Sequence, residues 1–146
     1  MVAGPIDDHT GVVLSPSLAT VRLFLHVVAA CIWVGGQLVL GALVGGLRPH
    51  GPEVVRAAAR RFNRIAWPAF AVAVLTGIWN LTAVDVGNTS TAYQTTLGLK
   101  LALVTLSGLA AAAHVLAQSK LALALGGAMA LLTGLGAVFL GVLLRS

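Results

Sequence analysis

Four apolar stretches, each near or above the roughly 20 residues that an α-helix needs to cross a hydrocarbon core, fix what this chain can become. They run at about 18–47, 62–84, 93–117 and 121–144, and the charged side chains inside them are Arg22, Arg64 and Lys100. Hydrophobic residues make up 58% of the chain and charged ones 9%, with a mean hydropathy of +0.97. An ordinary soluble domain carries about 25% charged residues and could not hide this much apolar surface, so soluble enzyme folds are excluded. Four spans and their turns use up the 146 residues, leaving one transmembrane domain over 1–146 and no room for a soluble one. The expected fold is an all-α integral membrane protein, a four-transmembrane-helix bundle embedded in the lipid bilayer.

The net charge of +5 is not a nucleic-acid signature once its location is considered. Arg48, Arg56, Arg60, Arg61 and Arg64 sit together between the first two apolar stretches, where the positive-inside rule places cytoplasmic loops. The loop 85–91 carries only Asp85, as expected on the outer side, so both termini are expected outside; Lys120 agrees with this, and Arg145 is a single dissent. Pro49, Gly51 and Pro52 end the first span, and 53–61 reads as a short amphipathic lead-in with arginines at headgroup level. The N-terminal segment lacks a basic start, carries Asp7 and Asp8 and breaks at Pro16, so it reads as a short external tail rather than a cleaved signal peptide. Cys31, alone and within an apolar run, allows neither an intramolecular disulfide nor a CxxC or zinc motif.

Small residues set how such helices pack, because lipid supplies no hydrophobic drive between them. Gly127, Gly134 and Gly141 recur every seven residues and line one face of the fourth helix, while Gly41 and Gly45 form a GxxxG step on the first. Both an intramolecular seam and a homodimer or larger membrane complex are open uses of these faces. Pro68 is expected in the first two turns of the second helix, where its missing N–H costs least.

An ionisable residue inside a span costs several kcal/mol unless it pairs, snorkels or binds something, which makes His26, Lys100 and His114 the candidates for chemistry. Arg22, His26, Trp33 and Gln37 share one side of the first helix, and Thr96, Lys100, Ser107 and His114 share one side of the third. The two stripes are expected to face each other. At about 1.5 Å per residue, His26 lies roughly 13 Å and Lys100 roughly 10 Å below the outer boundary, whereas His114 is roughly 30 Å down. His26 and Lys100 therefore share a level, and the returning second helix brings Thr76, Trp79 and Asn80 to it. A histidine and a lysine at one depth can hold a porphyrin iron, with lysine as second ligand or propionate partner. The plainer alternatives are an interhelical hydrogen bond for His26, snorkelling for Lys100, an interfacial bond for His114, and packing for Cys31 and the tryptophans.

These residues also carry a family resemblance. Leu25-His26, six residues and then Trp33-Val-Gly-Gly, followed by Arg60-Arg-Phe-Asn-Arg-Ile, Leu75-Thr-Gly77 and Thr95-Thr-Leu-Gly-Leu-Lys100-Leu-Ala-Leu-Val, resemble the copper resistance protein D family of small multi-span membrane proteins over about 18–117. His26 with its tryptophan motif, and Lys100 in its context, are also similar to HemJ-type protoporphyrinogen oxidases, a resemblance that implies haem binding at the matching His and Lys. The chain departs from that second pattern at Ala111, where those proteins carry a further histidine, and in its shorter first connection. The resemblances imply a multi-pass protein of a prokaryotic cytoplasmic membrane.

Three functions follow as expectations. The first is a b-type haem protein in electron transfer or porphyrin-linked redox near the outer leaflet, with His26 and Lys100 as metal ligands and Arg22, Trp33, Thr76 and Asn80 around the cofactor. The second is a copper transport or resistance protein, for which the soft donors are only Cys31, Met1 and Met129. The third is an accessory subunit of a larger membrane complex, using the glycine faces. All four carboxylates, Asp7, Asp8, Glu53 and Asp85, lie outside the spans, which excludes an intramembrane acid pair, a carboxylate proton relay and a hard-cation site. Ser107 and His114 are about 10 Å apart along one helix, too far to act as nucleophile and base.

Overall fold

A computed structural model describes residues 17–145. The N-terminal tail expected from the sequence, with Asp7, Asp8 and His9, lies outside the described residues. Four long helices follow in order: α1 (Leu18–Leu47), α2 (Pro52–Leu81), α3 (Thr91–Leu116) and α4 (Lys120–Leu143). Each is long and apolar enough to cross a membrane.

Local chemistry sets where they begin. Ser17, Ser90 and Ser119 cap α1, α3 and α4, each hydroxyl accepting the backbone N–H three residues on, at 3.1–3.2 Å. The first connection is a single 3₁₀ turn, Arg48–His50, followed by Gly51 at φ 103°, a backbone region that L side chains rarely adopt. Pro52 then starts α2 with its φ already helical.

This start corrects two expectations. The stretch 53–61 is not a separate lead-in: α2 begins at Pro52 rather than near residue 62. Glu53 complements the helix N-terminus and pairs with Arg56 at 2.7 Å, and Ala57, Ala58 and Ala59 are strong helix formers, so nothing interrupts the helix. Pro68 consequently lies in the interior of α2, where it leaves the Arg64 carbonyl without its usual helical donor. The other end comes earlier than expected, at Leu81, where Thr82, Ala83 and Val84 tighten into turns closed by their own N–H groups.

The helices pair as two antiparallel hairpins, α1 with α2 and α3 with α4, and the hairpins meet through α1 and α4. Small residues dominate the buried positions, among them Ala29, Ala66, Ala69, Ala130 and Ala137, which lets backbones approach closely. The large exception is an aromatic cluster at mid-depth. Trp33 stacks on Phe70 at 4.4 Å between ring centroids and meets Trp67 edge-on at 5.5 Å, while Phe70 presses on the bare backbone of Gly108 in α3. Large apolar side chains such as Phe24, Ile65, Leu109 and Phe139 are exposed on the outer face of the bundle.

The glycine face of α4 is used inside the chain. Gly127 faces His114, Gly134 faces Ser107 and Val34, and Gly141 faces Lys100, so the polar heptad of α3 lies in the glycine heptad of its antiparallel partner. Of the two uses left open for the glycine faces, α4 makes the intramolecular one. Gly41 and Gly45 on α1 do have open space beside them.

Candidate cofactor site

The site expected from sequence falls at the end of the bundle opposite the basic loop. His26 projects from α1 onto α2, where its Nδ1 lies 2.9 Å from the Ala73 carbonyl oxygen and 3.0 Å from Thr76 Oγ1. A carbonyl only accepts, so Nδ1 carries the proton and Nε2 holds the lone pair. Thr76 is buried, and its hydroxyl donates back to the Val72 carbonyl at 2.6 Å, leaving its own lone pair toward the imidazole. Gly77 makes room for this arrangement: a Cβ there would stand 3.3 Å from His26 Cε1. The imidazole is thus held in one orientation by α2 while Nε2 makes no hydrogen bond among the described residues.

Lys100 does not meet His26 side by side. Its ammonium lies along α4, where a Cβ on Gly141 would be 3.1 Å from Nζ. The shared level nevertheless holds by register. Trp33 Nε1 donates to Ser107 Oγ at 3.1 Å, tying α1 to α3, and His26 and Lys100 each lie seven residues, two turns, from that bond toward the end opposite the basic connection. The expected meeting of the two polar stripes is realised only at Trp33 and Ser107. Above it, His26 turns to α2 and Lys100 to α4, because α1 and α3 sit diagonally and each packs most closely on its hairpin partner.

Positive charge accumulates at this end, and among the described residues no carboxylate pairs with it: Asp85, in the α2–α3 connection, accepts from Asn88 at 2.6 Å. Arg22, one turn before His26, places its guanidinium over Trp79 at 5.7 Å and reaches the Trp79 carbonyl at 3.5 Å, while its Nε is buried with no partner among the described residues. Arg145 follows Gly141, which faces the Lys100 ammonium, by one turn. The one ion pair among the described residues, Arg56 with Glu53, is at the other end. Arg145, read from sequence as a topology dissent, therefore joins the site; the heptad pairing that sets Gly141 against Lys100 carries the signal, since Arg145 follows one turn later. Asn80 is half-buried near the same end of α2.

The remaining expected residues have other surroundings. Trp33 is buried in the aromatic cluster with its N–H bonded to Ser107. Ser107 in turn donates to the Ala130 carbonyl at 2.7 Å, locking α3 to α4. His114 sits at the basic end, its Nδ1 2.6 Å from the Leu123 carbonyl oxygen across the α3–α4 turn. Gln37 donates to the Trp33 carbonyl and lines a cavity of about 330 Å³ in the basic half, and neither principal cavity touches His26. Among the described residues no three His, Cys, Asp or Glu side chains come together as a metal cluster.

The fold and site define an all-α bundle of four helices, each apolar enough to span a membrane, with a fixed imidazole near cations that form no ion pair among the described residues. No family model, curated protein or solved structure matches the chain.

Proposed function

We propose that the chain is a multi-pass b-type haem protein of the cell membrane, with both termini outside and the arginine-rich connection on the cytoplasmic side. The observation that carries the reading is the His26 imidazole: its Nδ1–H is fixed by the Ala73 carbonyl, which leaves Nε2 as a metal donor. Metal-ligating histidines characteristically donate their second ring N–H in this way, which fixes ring orientation and raises ligand basicity. The donor set fits a haem carrying acidic groups. Among the described residues Lys100 and Arg145 form no ion pair, and the buried Arg22 Nε has no acceptor. In this reading His26 would hold the iron, and Lys100 would be a second ligand or, with Arg22, a partner of the acidic groups. Bound haem would supply a one-electron couple near the outer leaflet. The chain's own part is to hold the imidazole through Ala73 and Thr76, to balance acidic groups, and to keep water out with the surrounding apolar helices.

The test is the absorption spectrum, oxidised and dithionite-reduced, of protein purified in mild detergent from haem-replete cells, with metal analysis of the same sample. A Soret band with reduced α and β bands, about one iron per chain, and loss of the band in His26→Ala but not in His114→Ala are expected. A colourless protein overturns the reading. Copper without iron in that sample would favour the copper alternative, and stoichiometric co-purifying proteins would favour an accessory subunit, with the open space at Gly45 available to a partner helix.

A further inference from the structure

The basic end holds a cleft that the haem reading leaves unused. A cavity of about 330 Å³ opens between the two hairpins, walled by Trp33, Leu40, Phe62, Trp67 and Leu131, with Gln37 among its few polar groups. Its volume is at the lower end of the ~300–1,000 Å³ of small-molecule sites. A second cavity of about 370 Å³ shares Ala59, Asn63, His114 and Val115 with the first and continues it to Arg56 and Arg60. The two make one cleft, apolar inside and cationic at its mouth.

Polar groups along this path are free to bind. Arg60 and Asn63 make no hydrogen bond or ion pair among the described residues, and His114, with Nδ1 donating to the Leu123 carbonyl, keeps Nε2 as an acceptor. Arg56 is partly neutralised by Glu53 at 2.7 Å, so Arg60 is the uncompensated charge at the mouth. Arg61 and Arg64 follow on the same helix, and Glu53 is the lone carboxylate of α2.

We infer that this cleft is a binding site for one anionic phospholipid, its phosphate at Arg60 with Arg56 and an acyl chain in the cavity between the hairpins. The matching of an apolar slot to a basic rim is the charge complementarity such lipids require. Basic pockets between membrane helices on the cytoplasmic side recognise phosphate headgroups in this way. A zwitterionic lipid offers the same chains with a compensated headgroup, so the site discriminates by charge.

The experiment is native mass spectrometry of the delipidated full chain, titrated with phosphatidylglycerol or with phosphatidylcholine of the same acyl chains. One bound phosphatidylglycerol, retained at several-fold lower lipid concentration than phosphatidylcholine, is expected. Arg60→Gln should weaken phosphatidylglycerol about 5-fold, the effect of one basic residue near the surface, and leave phosphatidylcholine unchanged. Gly41→Leu fills the cavity from a wall position where an added Cβ meets nothing within 4 Å, and should abolish both adducts without lowering thermal stability. Equal binding of the two lipids, an unchanged affinity in Arg60→Gln, or lipid binding that survives Gly41→Leu overturns the proposal. So does retention of a tetrapyrrole that Gly41→Leu expels, since another occupant then fills the cleft.

Discussion

Removing one oxygen, in Ser107→Ala, tests the joint that sets the register of the whole bundle. Ser107 is 1% exposed and accepts from Trp33 Nε1 at 3.1 Å while donating to the Ala130 carbonyl at 2.7 Å. Interhelical hydrogen bonds in membranes average about 0.6 kcal/mol, with a maximum near 1.7. The Ala130 carbonyl keeps a contact from Thr133 Oγ1 at 3.3 Å, so its loss is small. Trp33 has no second acceptor, and a buried donor left unmade costs about 1–3 kcal/mol. Together these give an expected destabilisation of about 1–2 kcal/mol, or roughly 5- to 30-fold in the folded-to-unfolded ratio. Trp33→Phe removes the same N–H while keeping a ring against Phe70. Reversible unfolding in mixed detergent micelles, followed through the remaining tryptophans, should show a coupling of about 1 kcal/mol between the two changes. Single and double variants that add within about 0.3 kcal/mol would mean the bond contributes nothing, and the register argument for His26 and Lys100 would fall with it.

Glycine substitutions separate packed from open faces in the same assay. Gly108→Ala puts a Cβ 2.7 Å from Phe70 Cζ, whose ring is confined by Trp33, and should cost about 1–3 kcal/mol; Gly45→Ala meets nothing and should be neutral or stabilising by up to about 1 kcal/mol. Equal effects of the two would contradict the packing described. Pro68→Ala restores a donor for the Arg64 carbonyl on an exposed face of α2 and should stabilise the protein by about 1–3 kcal/mol, with a lower stability as the contrary result. In haem-loaded protein, Thr76→Val should retain the cofactor, since the Ala73 carbonyl still holds Nδ1–H, while shifting the midpoint potential; full loss of haem would place the orienting role on Thr76 instead.

What the sequence alone determined is the set of elements and the level of their chemistry. Apolar runs located the four helices to within a few residues at seven of their eight ends, and the seven-residue spacings of Lys100, Ser107 and His114 and of Gly127, Gly134 and Gly141 were legible before any partner was known. The eighth end was missed because an amphipathic, arginine-bearing start reads as interface, although alanines and a Glu53–Arg56 pair carry the helix straight through it.

Only the tertiary structure decided which face met which. In lipid nearly every side of a helix is apolar, so hydrophobic periodicity does not tell the outside from the inside, and small local fits decide the pairing. Those fits sent Lys100 to Gly141 rather than to His26, and His26 to the Ala73 carbonyl. They also opened the cleft between the hairpins, which is built from residues on all four helices and has no signature on any one of them.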